Sequence, residues 1–216
     1  MKVSIIDYGL SNLLSVRRAA EYCGAQVEFV QTPEAVLAAP RLILPGVGAF
    51  EDGMNGLAAL GLIEPIRQKA AEGTPLLGIC LGMQMLFDES DEFGLHRGLG
   101  LIPGRVERIP AVDTSGVPQR VPNIGWRALV PAHGSFAGTV LQNVPAGGEC
   151  YFVHSYEAKP QNEADRLADS PYGGRSPYGG RSICAAALRG SVIGTQFHPE
   201  KSGPVGLSIL KAFLEL

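Results

Sequence analysis

The chain has 216 residues and no surplus of basic ones: 18 Lys and Arg stand against 21 Asp and Glu, a formal charge of −3. Phosphate backbones and anionic lipids are bound through a cationic footprint, so neither nucleic acid nor a membrane surface is an expected partner. Long apolar runs are missing as well. The opening Met-Lys-Val-Ser-Ile-Ile stops at Asp7, well short of a signal-peptide core or of the roughly 20 residues that span a bilayer. Cysteine is scarce and scattered. Cys23, Cys80, Cys150 and Cys184 contain no Cys-x-x-Cys pair, which argues against a zinc knuckle or a disulfide framework and for a reduced, cytoplasmic location; no metal site is expected.

What is present is enough to build a core. Apolar residues make up 45% and charged residues 18% of the chain, too apolar a balance for disorder, and the length fits one α/β domain over residues 1–216. Short apolar runs alternate with helical patterns, the sequence form of a mainly parallel sheet flanked by helices. Strands are expected at 3–6, 26–30, 41–44, 75–79 and 192–197, and helices at 12–23, from Thr32-Pro33-Glu34 onward, at 62–72, from Cys80 to Phe87, and at 206–216. Thr32 is placed to cap its helix, with Pro33 at the first helical position. From Gly98 to Leu188 short strands broken by Pro and Gly read as antiparallel hairpins beside the main sheet. Ser-Pro-Tyr-Gly-Gly-Arg occurs at 170–175 and again at 176–181, and reads as a duplicated hairpin loop, since added loop length raises closure entropy only slowly.

One junction carries chemistry. Gly78-Ile79-Cys80-Leu81-Gly82 has the Gly-x-nucleophile-x-Gly form between an expected strand and an expected helix. Glycines two residues to either side let the chain pack closely around a sharp bend. The free N–H groups at the start of the helix favour a thiolate at Cys80. A thiol nucleophile needs a base, and a group to orient that base. His198 ends the last apolar strand in Thr195-Gln196-Phe197-His198-Pro199-Glu200. In extended chain His198 and Glu200 point the same way, which gives the logic of a Cys-His-acid triad. His96 and His133 lie in loop-like stretches, while His154 in Tyr151-Phe152-Val153-His154-Ser155-Tyr156 remains a competitor for a functional role. Donors for a tetrahedral oxyanion are expected from the N–H of Leu81 and from the Pro45-Gly46-Val47-Gly48 loop, chiefly Val47 and Gly48. That loop lacks the Gly-x-Gly-x-x-Gly spacing of a dinucleotide site and the Lys-Ser/Thr of a P-loop, so no nucleotide or other cofactor is expected.

Cys80 in this setting, with His198-Pro199-Glu200 following 118 positions later, resembles the class I (triad) glutamine amidotransferases. The likeness is greatest to the glutaminase subunits of imidazole glycerol phosphate synthases. It is carried by Ile6-Asp7-Tyr8-Gly9 with Asn12, by Leu44 to Phe50, by Tyr151 to Tyr156 and by Gly194 to Ser202. The resemblance implies a flavodoxin-like α/β fold and attack of Cys80 on the side-chain amide of L-glutamine. His198, oriented by Glu200, would protonate the departing ammonia. Gly46, Gln84 and Glu92 would hold the glutamine, the last two at its α-amino end, with the backbone of Ser155 and Tyr156 at its carboxylate. Asn12, Trp126, Tyr151 and Lys201 would face a (β/α)8 cyclase subunit in a heterodimer that makes imidazole glycerol phosphate and AICAR in histidine synthesis. The family pattern Pro-His-Met/Ile-Gly-Trp-Asn is here Pro122-Asn123-Ile124-Gly125-Trp126-Arg127, a departure at Asn123 and Arg127. The family's Tyr-Gly before the penultimate strand is Tyr172 or Tyr178, with Tyr178 nearer that strand. Two other readings stand beside this one: a triad glutaminase that feeds a different synthase, and a catalytically silent binding subunit on the same fold.

Overall fold

The computed structural model describes residues 1–10, 12–113, 116–173 and 181–216. Its first half runs β1 (Lys2–Ile6), α1 (Leu13–Tyr22), β2 (Gln26–Val30), α2 (Pro33–Ala38), β3 (Leu42–Gly46), α3 (Phe50–Ala59), α4 (Ile63–Ala71), β4 (Leu76–Cys80) and α5 (Leu81–Met85). The second half is rich in strands: β5 (Phe87–Ser90), β6 (His96–Arg97), β7 (Ile102–Arg108), β8 (Asn123–Ala128), β9 (Val130–Pro131), β10 (Glu149–His154), β11 (Tyr156–Pro160), β12 (Arg166–Tyr172), β13 (Arg181–Arg189) and β14 (Val192–Thr195). Helix α6 (Gly203–Leu214) follows.

The main sheet has the order β2-β1-β3-β4-β14-β13-β12-β9. Neighbours from β2 to β14 pair in parallel, and β13, β12 and β9 extend the sheet antiparallel. The central strands β3, β4 and β14 are buried along their whole length, which is why they read as unbroken apolar runs rather than alternating ones. One face of the sheet packs Val16 and Ala20 of α1 and Ile209 and Phe213 of α6 against Val3, Ile5 and Leu77. The opposite face packs Phe50, Leu57 and Ile66 of α3 and α4 against Leu42, Leu44 and Leu76. Two smaller sheets, β10-β8 and β11-β7-β5-β6, form the strand-rich region. All pairs in them are antiparallel except β5 with β7.

Several boundaries differ from the sequence reading. Helix α3 was not foreseen, because Phe50-Glu-Asp-Gly-Met-Asn-Gly carries two glycines and its N-cap, Ala49, has no capping side chain. A distant residue does the capping: the Phe50 N–H donates to Glu92 Oε2 at 2.7 Å. Strand β3 continues through Pro45 and Gly46, which the sequence placed in a loop. Helix α5 is only five residues long, and the chain expected as helix up to Phe87 has already entered β5. Helix α6 begins three residues earlier than expected, with Pro204 in its first turn. Thr32 caps α2 as anticipated, its hydroxyl accepting from the Ala35 N–H at 3.3 Å. The second hexapeptide copy and Tyr178 lie outside the described residues except for Arg181, whereas Tyr172 is buried at the end of β12.

Candidate active site

Adjacent parallel strands bring the pieces together. With β3, β4 and β14 side by side, the loop after β3, the cysteine ending β4 and the histidine segment after β14 emerge at one edge, where open α/β sheets hold their ligands. Cys80 has φ 55° and ψ −110°, a strained conformation for a residue with a side chain. The flanking glycines allow the bend. A Cβ on Gly82 would lie 1.8 Å from the Leu44 carbonyl oxygen, and one on Gly78 would lie 2.7 Å from the Gly82 carbonyl oxygen. Because α5 is short, its dipole supplies less support to the sulfur than a full helix would. The sulfur is bracketed by two groups instead: the Val153 carbonyl oxygen at 3.9 Å and Gln196 Nε2 at 3.8 Å.

Cys80 and His198 line one cavity of about 420 Å³. His198 Nδ1 is 2.8 Å from Glu200 Oε1, and the Glu200 side chain is 1% exposed. Burial alone pushes the imidazole down, but Cys80 and the Glu200 carboxylate outweigh it and raise the group to about 10. Nε2 is buried and has no well-formed hydrogen bond, so it is the ring nitrogen left to act on Cys80. The backbone around His198 is tied to β10. The His198 N–H donates to the Tyr151 carbonyl at 2.9 Å, the Tyr151 N–H to Ser202 Oγ at 2.9 Å, and the Ser202 hydroxyl to the His198 carbonyl at 2.6 Å.

His154 also faces the cavity, but both of its nitrogens are engaged. Tyr156 offers only a carbonyl oxygen, so Nδ1 carries the proton donated to it at 2.7 Å, and Nε2 accepts from Asn123 Nδ2 at 2.9 Å. Burial and the neighbouring His198 charge push the imidazole down to about 4, against a smaller upward pull from the Tyr156 bond. It stands as a neutral structural ring. Asn123 is buried, and its Oδ1 accepts from Arg127 Nε at 3.3 Å. Thus the two departures from the family pattern pair with each other. The Arg127 guanidinium also lies over the Tyr172 ring, 5.6 Å from its centroid.

Of the expected glutamine-binding residues, Gln84, Glu92, Ser155 and Tyr156 line the cavity; so do the expected oxyanion donors Leu81, Val47 and Gly48. Gly46 does not. It sits within β3, where a Cβ would meet the Tyr8 hydroxyl at 2.5 Å. Val47 corrects the sequence reading, because its N–H donates to the Leu10 carbonyl at 3.3 Å and is not free for an oxyanion. Burial raises the Glu92 carboxyl, and its bond from Phe50 N–H partly offsets this.

Trp126 and Tyr151 pair across β8 and β10 with ring centroids 6.1 Å apart. Ile124 pairs with Val153 on the same strands, and both are exposed alongside Trp126, which is 48% exposed. The sequence reading missed Ile124 and Val153, although alternation along each strand was the available signal. Lys201 is exposed on the turn after Pro199, and Asn12 precedes α1 without capping it. Gln196 and Ser202 were missed as well. The signal for Gln196 was a polar residue at the end of an apolar strand, on the same side of an extended chain as His198.

The family described as glutamine amidotransferase class-I matches residues 4–216. The chain is 51% identical over 216 residues to "Imidazole glycerol phosphate synthase subunit HisH 1" of Legionella pneumophila (strain Lens), covering 99% of both. It is 44% identical over 212 residues to "Imidazole glycerol phosphate synthase subunit HisH" of Syntrophotalea carbinolica, covering 98% of both. Among solved structures, a glutamine amidotransferase superposes with TM-score 0.71 at 20% identity, covering 99% of this chain and 97% of that one. PurLQS from Thermotoga maritima gives 0.70 at 20% identity, with the same coverage. These two likenesses concern the fold.

Proposed function

The chain belongs to the class-I glutamine amidotransferase family, and from that premise we propose that it is the glutaminase subunit of an imidazole glycerol phosphate synthase. It releases ammonia from L-glutamine for a cyclase partner in histidine synthesis. The observation that carries the chemistry is a cysteine held in a strained bend, facing the same cavity as a buried His198–Glu200 pair. The whole chain acts as one glutaminase domain, in a cytoplasmic heterodimer with the cyclase. Among the described residues, no helix is long and apolar enough to cross a membrane.

In the proposed reaction, Cys80 Sγ adds to the side-chain amide carbon and the Leu81 N–H donates to the developing oxyanion. The C–N bond breaks, and His198, whose raised pKa keeps it protonated at neutral pH, gives its proton to the leaving ammonia. Water then attacks the thioester with His198 as base; the C–S bond breaks, glutamate departs and the thiolate returns. Glu200 holds the imidazole through Nδ1 throughout. Gln84 spends both N–H groups on Tyr156 and Gln196, which leaves its Oε1 as an acceptor for the substrate ammonium, beside the Glu92 carboxylate. Ile124, Trp126, Tyr151 and Val153 form the docking face, with Asn12 and Lys201 as further contacts.

The engaged Val47 N–H supports slow turnover in the isolated chain, since this donor reaches an oxyanion only when the loop leaves Leu10. Glutamate release is expected to rise on adding the cyclase and its ligand; equal rates would remove the coupling. Cys80→Ala is expected to abolish glutamine-dependent synthesis by the complex while synthesis from ammonium salts persists. Glutamine-dependent synthesis surviving that substitution would overturn the assignment, and ammonia transfer to a different synthase alone would favour the other reading.

A further inference from the structure

We propose that Gln196 is a thiolate-stabilising residue: its side-chain N–H donates to Cys80 Sγ, and Gln84 holds the amide in the orientation that makes this possible. The proposal rests on the reading of Cys80 as nucleophile and adds to it a group that touches the reacting sulfur.

The direction of every bond in this chain follows from one acceptor. The Tyr156 carbonyl can only accept, and it lies 2.7 Å from His154 Nδ1 and 3.2 Å from Gln84 Nε2, one for each lone pair. The nitrogen of the Gln84 amide is thereby fixed. Its second N–H points to Gln196 Oε1 at 3.1 Å. With Oε1 committed, Gln196 presents Nε2 to Cys80 Sγ at 3.8 Å. Gln196 is fully buried, so no water competes for this contact. Its backbone is pinned too, the N–H donating to the Ala185 carbonyl at 2.9 Å.

The other neighbour of the sulfur shows what the donor is for. The Val153 carbonyl, 3.9 Å away, can receive a proton from the thiol but repels a thiolate. The Gln196 donor tips the balance toward the anion, because a hydrogen bond to a charged form favours that form. The same N–H serves when the thioester is cleaved, as the departing sulfur regains its negative charge. Gln84 opens on the cavity, so the residue that contacts substrate also fixes the orientation of the donor at the nucleophile.

Gln196→Met keeps side-chain length and removes the donor. The readout is the pH dependence of Cys80 carboxamidomethylation by iodoacetamide, followed at the Cys80 peptide by mass spectrometry. It requires neither glutamine nor a partner, so failure of the functional reading and failure of this proposal are separable. The midpoint is expected to rise by about one pH unit in the variant. In the complex kcat should fall about tenfold while KM for glutamine stays within about twofold. A wild-type midpoint in a folded Gln196→Met chain overturns the proposal. A second measurement needs no change at Gln196: its side-chain NH₂ resonances in the unsubstituted chain should shift with pH in step with Cys80 alkylation and lose that titration in Cys80→Ala. Resonances that ignore the Cys80 titration overturn it equally.

Discussion

His154 and His198 face the same cavity and are driven in opposite directions, one down to about 4 and the other up to about 10. The sign of each effect on stability follows. The folded value of His154 lies below the ordinary one, so as pH falls the unfolded chain takes up that proton first. Its contribution is complete above about pH 6.5 and is lost as pH falls toward about 4, a change of about 3 kcal/mol. For His198 the folded form binds its proton more tightly; its contribution is complete below about pH 6.5 and is lost as pH rises toward 10. Thermal unfolding across this range should show both flanks, and His154→Gln should flatten the acid one. An unchanged acid flank would show that the ring titrates freely. At Gly82 the argument is steric. A Cβ 1.8 Å from the Leu44 carbonyl oxygen collides with backbone, so Gly82→Ala is expected to lose at least about 3 kcal/mol by denaturant titration and to displace Cys80.

Elements act here by bracing one another. Tyr8, just beyond β1, donates its hydroxyl to the Pro45 carbonyl at 2.8 Å and so steadies the end of β3, where the proposed oxyanion loop begins. Burial, followed by the Cys80 charge, raises this phenol, which keeps it a donor at working pH. Tyr8→Phe strands a buried carbonyl at a cost of about 1–3 kcal/mol. It is expected to lower Tm and to change glutaminase activity without changing ammonium-dependent synthesis; an unaltered glutaminase rate would show that the loop does not need the brace. The central strands were legible because burial on both faces makes them continuously apolar. The nucleophile bend was legible because sterics demand glycine at 78 and 82. Helix α3 was not, since its cap comes from Glu92, 42 residues away. Nor was the occupied state of the Val47 N–H, which depends on Leu10 in another loop. The triad could be nominated from residue types and spacing, but Gln196 required knowing which way two amides face.

For the molecule as a whole, three neighbouring strands lead to Cys80, His198 and the 45–48 loop, while the exposed side chains of β8 and β10 form the proposed docking face. Trp126 is the one tryptophan of the chain and is half exposed, so its fluorescence should report arrival of the cyclase. Trp126→Ala is expected to weaken the complex about tenfold or more with Tm unchanged. Equal affinity by titration would place the partner elsewhere.

The backbone of Tyr151 belongs to both surfaces. Its ring stands beside Trp126, while its peptide groups are locked to Ser202 and to His198. A compound wedged against that aromatic pair is expected to disturb His198 through this shared backbone, and inhibition that added glutamine does not relieve would register it. Inhibitors of this enzyme can therefore be sought on an outer strand surface, where glutamine, however abundant, is not expected to compete them away.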